Sequence, residues 1–267
     1  MRICTVGDLL LDVVVRIDGP IALDTDTYGQ VRVGAGGQAA NVAAWAASLG
    51  ASARFLGKRA RDPAGEIAAA ELHRRRVEVV GPQVAGRTGT VISIATADGH
   101  RAMLSDRGVS PDFAADELDA RWLEGCDRLH IPGYSLVRSP LRETALAASR
   151  LDVKVSVDAS STTAIEEVGV GRFTESLSSV CPDIVFANEA EAALLLDVRA
   201  ETVVVKRGDR GCLVRRNGDE HAYRAMVAEV VDGTGAGDAF AAGFLVGGVE
   251  VALTAAARCV SRLGAMP

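Results

Sequence analysis

Val231–Phe244 reads V-D-G-T-G-A-G-D-A-F-A-A-G-F, a glycine-rich turn running into a helix of small apolar residues, with Asp238 at the junction. Glycines open backbone angles that let a bound group approach the main chain. A helix start presents N–H groups without intrahelical acceptors and the positive end of the helix dipole. Together these features describe an anion site with a carboxylate beside it that can take a proton. An ordinary loop leading into an Asp-capped helix fits the same residues. The local pattern does not choose between the two.

The 267 residues suffice for one large α/β domain, or for a core domain with a smaller appendage. At 48% hydrophobic and 24% charged the chain has the composition of a folded globular protein. Aromatics make up only 4% while there are 28 glycines, so aliphatics and alanine build the core. A net charge of −6 argues against a general nucleic-acid binder. Five scattered cysteines form no CxxC pair and no metal-ligand cluster with the four histidines, and read as reduced, mostly buried thiols. Asp8 and Asp12 interrupt the N-terminal apolar run, so no secretory signal is evident, and no apolar run approaches the length of a membrane span. The expectation is a cytoplasmic protein with neither a nucleic acid nor a membrane as partner.

Along the chain, Arg2–Val15 reads as a buried first strand whose end carries Asp8 and Asp12. An acidic residue there needs a partner or a cleft. Asp12 is thus either a binder of ligand hydroxyls or a solvent-facing strand end. Ile17–Val33 contains exposed strands outside the main sheet, and Gly34–Gly50 is a glycine turn followed by a helix with Asn41 on its first turns. Asn41 offers a donor and an acceptor to a polar ligand, or a local cap. Pro63–Arg75 predicts a helix, Gly89–Ala97 an edge strand that turns at Asp98-Gly99, and Pro111–Glu124 a further helix. Arg101 and Arg107 read chiefly as surface charges. Strands are predicted at Arg128–Ile131, Asp152–Asp158, Cys181–Phe186 and Glu201–Lys206, with short ones at Gly211–Arg215 and Glu220–Ala225; helices are predicted at Pro140–Arg150 and Glu250–Gly264. Asn188 and Glu191, one helical turn apart after a strand, suit water-mediated metal coordination, or simple capping with exposed glutamates. Repeated strand–helix alternation predicts α/β layers on a mostly parallel sheet.

Three segments, in this order and separation, resemble the ribokinase-like (PfkB) family of carbohydrate kinases. Gly36–Asn41 (G-G-Q-A-A-N) resembles its N-terminal signature, Asn188–Glu191 (N-E-A-E) its middle motif, and Asp232–Asp238 (D-G-T-G-A-G-D) its C-terminal signature. The similarity runs from Val6–Asp12 to Ser261–Ala265. It implies one kinase domain over 1–267: a three-layer α/β sandwich whose mostly parallel sheet is flanked by helices, with a small β-sheet lid from segments near 12–33 and 86–108. It also implies transfer of the γ-phosphoryl group of ATP to a sugar hydroxyl. Asp238 would be the general base, with amides of Gly235, Ala236 and Gly237 as the anion hole. Asp12, Gly37, Gln38 and Asn41 would contact the sugar. Asn188 and Glu191 would organise Mg²⁺ and phosphates, Glu191 through water. Lys206 and Gly208 would lie near the nucleotide, and Asp232 and Thr234 match the start of a K⁺ site, with Gly264 nearby.

The chain departs from the family pattern in places. Only 15 positions separate Glu191 from Lys206, which implies a shortened or missing helix. Gly243–Ala252 is also trimmed, Leu253 stands where ribokinases use a polar residue beside adenine, and Gln38 replaces a lysine of the ribokinase signature. A nucleoside kinase and a catalytically weakened sugar-binding or regulatory protein are the alternatives. A phosphosugar acceptor would need a second anion pocket, for which Arg87, Arg101 and Arg107 are candidates. Exposed lid edges invite pairing with a second subunit, or serve as a lid alone.

Overall fold

The computed structural model describes residues 1–96, 101–195 and 198–267, with Arg101 described by its main chain only. Numbered along the chain, the strands are β1 (Arg2–Val6), β2 (Leu10–Ile17), β3 (Gln30–Gly36), β4 (Ser52–Leu56), β5 (Arg59–Ala60), β6 (Val77–Val80), β7 (Gln83–Val84) and β8 (Thr88–Thr96). They continue with β9 (Arg101–Gly108), β10 (Arg128–Pro132), β11 (Lys154–Asp158), β12 (Ile184–Asn188), β13 (Thr202–Lys206), β14 (Cys212–Arg216) and β15 (Asp219–Tyr223). The helices are α1 (Gln38–Ser48), α2 (Pro63–Arg74), α3 (Leu141–Ser149), α4 (Thr162–Val168), α5 (Val170–Val180), α6 (Glu189–Leu194) and α7 (Ala236–Val260).

A nine-stranded sheet runs β15-β14-β13-β12-β11-β10-β1-β4-β6, parallel from β13 to β6 and antiparallel at β14 and β15. Its inner strands β1, β10, β11 and β12 are buried on both faces, successive side chains pointing to opposite sides, while β14 is partly and β15 largely exposed. Ile3 therefore joins a core with α1, α2 and α7, while its neighbour Cys4 joins a core with α3 and α5. The result is a three-layer α/β sandwich, as expected. A smaller sheet, β3-β2-β8-β9, stands apart from it and supplies the accessory layer.

Several sequence expectations need correction. The run Arg2–Val15 is two strands in two sheets: β1 lies in the central sheet and β2 in the small one. The break falls at Gly7, where an added Cβ would lie 2.8 Å from the Ser135 hydroxyl, so the chain crosses too close for any side chain. β8 is an inner strand, parallel to β2 and antiparallel to β9, and not an edge. Pro111–Glu124 forms 3-10 turns at Ser110–Asp112, Ala115–Glu117 and Ala120–Leu123 in place of one helix. There Asp119 accepts from the Arg121 amide and Glu117 from the Ala114 amide, local bonds that compete with a helical ladder. The sequence reading left Ala159–Val180 without an element, and α4 and α5 fill it. The Asp98-Gly99 turn lies outside the described residues. α6 is only six residues long, in line with the short Glu191–Lys206 spacing.

α7 corrects a further expectation. By length and composition it is apolar enough to cross a membrane. Its backbone leaves helical geometry at Gly247 and Gly248, which splits it into two arms. The arms touch at Gly243, where a Cβ would come within 2.6 Å of the Ala252 Cα, and Ala239–Ala242, Leu245, Ala252 and Ala255 are buried in the core. It is the core helix pair of the sandwich.

Candidate active site

The opening turn is fastened before it delivers its helix. Asp232 Oδ1 accepts from the Thr234 amide (2.9 Å) and hydroxyl (2.6 Å), and Oδ2 accepts from the Gly264 amide (2.9 Å). Gly235 caps α7 with φ 77°, and an added Cβ would sit 2.5 Å from that of Ala265. Both facts demand glycine. The first turn of α7, Ala236–Asp238, therefore presents helix-start amides from a rigid mount.

Asp238 does not act as a cap to its own helix, since no side-chain cap bond forms at the start of α7. Its carboxylate accepts from Asn41 Nδ2 at 2.7 Å, which ties α7 to the first turn of α1. Burial pushes the Asp238 pKa up to about 7, with the charge of Asp158 adding to it and bonds from Asn41 and Gln38 and the charge of Lys206 opposing it. Gln38 is placed by Ser160, whose hydroxyl donates to Gln38 Oε1 at 2.5 Å. Asn41 is 5% exposed and its Oδ1 has no partner within the protein. A buried acceptor left open beside a carboxylate has room for a donor from outside the chain, a water or a ligand hydroxyl.

Asp12 lies against the same helix start, though on β2 of the small sheet. A Cβ on Gly36 would fall 1.9 Å from its carboxylate, and one on Gly37 would meet the Asp8 carbonyl at 2.4 Å. Burial raises the Asp12 pKa to about 6. The strand-end reading of Asp12 is thereby corrected: it is half-buried inside a strand.

On the far side of Asp238, Lys206 Nζ pairs with Asp158 Oδ2 at 2.5 Å, the aspartate being 1% and the lysine 17% exposed at the side chain. Burial opposes the lysine's charge, yet Asp158, Glu191 and Asp238 together raise its pKa. A Cβ on Gly237 would lie 3.2 Å from Lys206 Nζ, so the ammonium sits beneath the first turn of α7. Lys206 is not a solvated strand-end charge.

Asn188 and Glu191 form a reciprocal cap: the Asn188 amide donates to Glu191 Oε2 (2.7 Å), Asn188 Nδ2 to Oε1 (2.7 Å), and the Glu191 amide to Asn188 Oδ1 (2.8 Å). The capping alternative is realised, but Glu191 is 2% exposed, and burial with the Asp158 charge raises its pKa. Glu189 is the exposed one, paired with Arg207 and Arg210. Among the described residues no group of three His, Cys, Asp or Glu forms a ready metal site.

Lys206, Gly208, Gly233, Ala236 and Gly237 line one cavity of about 550 Å³, which continues along the second arm of α7. Of three further neighbours, the sequence reading passed over Tyr134 and left the partners of Asp158 and Arg107 unnamed. Asp158 read as a strand-end acid that lines the cleft or caps the next element, with nothing to name Lys206 as its partner. Tyr134, with its pKa raised by burial and by the charges of Asp238 and Glu191, faces the same site. Arg107 is no surface charge: Nε and Nη2 reach Asp8 at 2.7 and 3.0 Å, and Nη2 also donates to the Tyr134 carbonyl. It pins β9 to the β1–β2 loop. Arg87 pairs with Asp106 in solvent, and the Arg101 side chain lies outside the described residues.

Comparison with known proteins identifies the family and agrees with the fold. The family profile described as pfkB family carbohydrate kinase matches residues 1–266. An ATP-dependent ribose-1-phosphate kinase of Halopiger xanaduensis is 31% identical, over 97% of this chain and 90% of its own. The adenosine kinase of Sinorhizobium meliloti superimposes with a TM-score of 0.87 at 25% identity, covering 100% of this chain and 95% of its own. A "probable sugar kinase protein" from Rhizobium etli gives a TM-score of 0.89 at 23% identity, covering 100% and 94%.

Proposed function

The chain belongs to the pfkB family of carbohydrate kinases, whose activity is ATP-dependent phosphoryl transfer, and from that premise we propose that it phosphorylates a hydroxyl of a sugar or sugar-like substrate with Asp238 as general base. One observation carries the reading. Asp238, with a pKa near 7, accepts a bond from the amide nitrogen of Asn41, whose side-chain oxygen is buried and open, at the start of the helix that borders the cavity.

Phosphoryl transfer asks a protein mainly for positioning and charge stabilisation. Asn41 Oδ1, Gln38, Gly37 and Asp12 orient the acceptor so that its hydroxyl meets Asp238, which takes the proton as the new P–O bond forms and the bond from the γ-phosphorus to the bridging oxygen breaks, releasing ADP. The amides of Gly235, Ala236 and Gly237 receive the phosphoryl oxygens, and Lys206 adds a fixed positive charge beneath them. ATP enters the cavity with its phosphates towards Lys206 and Gly208. Mg²⁺ would neutralise phosphate charge, and Asn188 and Glu191 are the residues that would hold it. Asp232 already accepts three internal donors, so the turn is braced by the chain itself, and the place of K⁺ is decided by assaying with K⁺ replaced by Na⁺. We place the enzyme in the cytoplasm, where ATP and free thiols coexist.

The test is an ADP-release screen with Mg²⁺ across free sugars, sugar phosphates and nucleosides. We expect turnover with sugars or sugar phosphates. Turnover with nucleosides alone would favour the nucleoside kinase, and sugar binding without ADP release the weakened binding protein. A phosphosugar acceptor is favoured as second reading by the relative of Halopiger, itself a ribose-1-phosphate kinase.

A further inference from the structure

We propose that the base end of the cavity admits purine nucleoside triphosphates without distinguishing a 6-amino from a 6-oxo ring, so that GTP and ITP serve as phosphoryl donors alongside ATP. This rests on reading the cavity as the nucleotide site. Its charged side chains are Lys206, by Gly237 on the first turn of α7, and Asp209. The wall also includes Leu253, Ala256, Ala257 and Val260 on the second arm of α7, together with Val227 and Val230. None of these six side chains donates or accepts a hydrogen bond.

Selectivity between purines depends on what is left unpaired by the wrong ring. A site built to bond a substrate group rejects the analogue lacking it by about 10⁴–10⁵-fold, whereas an apolar wall discriminates by only about 10–200-fold. Exchanging the amino group for an oxo group strands no side chain here. Burial works in the same direction. Val227 is fully exposed, Val230 is 70% exposed and Met226 55%, which leaves an apolar rim at the cavity for any purine face to cover. That gain depends on ring area and not on the exocyclic group.

The measurement is titration calorimetry of the intact protein with the non-hydrolysable imido analogues of ATP and GTP, joined by kcat/KM for ATP, GTP and ITP with one acceptor. We expect dissociation constants, and kcat/KM values, within about tenfold of one another. An ATP analogue bound more than about a hundredfold tighter than the GTP analogue overturns the inference and leaves the kinase reading intact. A chain that binds and turns over no nucleoside triphosphate overturns both. Leu253→Asn, checked by thermal unfolding for its fold, places an amide on the wall and is expected to move the ratio of dissociation constants at least about fivefold. An unchanged ratio in a folded variant contradicts the placement of the base.

Discussion

At the scale of single residues, the site is organised by charges that burial makes costly. Asp238 has its pKa raised to about 7 and must be ionised to accept a proton, so kcat/KM should climb with pH and level off above about 7. A pH–rate profile checks this. The stability consequence has the opposite sense. Below about pH 4 the carboxyl is protonated both folded and unfolded; between there and about 7 the unfolded chain releases its proton first, so stability falls as pH rises. Asp238→Asn should therefore resist heat better than wild type at pH 8, with the advantage gone at pH 4, as read by melting temperatures at the two values. Lys206 and Asp158 pose the reverse problem. Lys206→Met leaves an aspartate that is 1% exposed without its partner and should cost about 3–5 kcal/mol in urea unfolding. Asp158→Asn in the same chain should recover most of that loss. Sequence reading reached Asp238, Asn41 and Glu191 because glycine turns and helix starts leave local signals. It missed the Asp158–Lys206 pair, Tyr134 and the Arg107–Asp8 bond, because each joins segments distant along the chain.

At the scale of elements, the decisive piece is the turn that mounts α7. Asp232, Thr234 and Gly264 tie it, Trp45 Nε1 holds the Ala265 carbonyl at 2.8 Å, and Ala265 packs on Gly235. Gly235→Ala meets a left-handed φ and a 2.5 Å contact together, and should cost stability by about 1–3 kcal/mol while lowering kcat more than it raises KM. Steady-state kinetics beside a melting curve separate the two effects. The turn was legible as a glycine pattern. What the pattern could not show was the C-terminal segment closing over it from about 30 positions away. Other elements were misread for similar reasons. The segment Arg2–Val15 reads as one strand despite Asp8 and Asp12, and the close approach at Gly7 marks where it divides between two sheets. Pro111–Glu124 carries helix-like composition, yet its acids bond nearby amides and hold it in short turns.

At the scale of the molecule, the alternation of strands and helices made the layered architecture readable, and the three motifs marked the end of the sheet where we propose the site. The small sheet has a further consequence for assembly. Register sets Val33, Val13, Ile92 and Leu104 in one row across its four strands, and Val31, Val15, Ile94 and Ala102 in the next. Val31, Val33, Ile92 and Leu104 are exposed. We propose that two chains pair through this face, since an apolar row of that width is costly in water. Light scattering should give twice the mass of one chain, and Val33→Asp should shift it to one; a wild-type monomer contradicts the pairing. The central claim is the role of Asp238, and its most direct test is ADP release by Asp238→Asn, with nucleotide affinity measured on the same preparation. The account predicts a loss in kcat of about 10²–10⁴-fold, with nucleotide binding retained. A variant that turns over at close to the wild-type rate would contradict it.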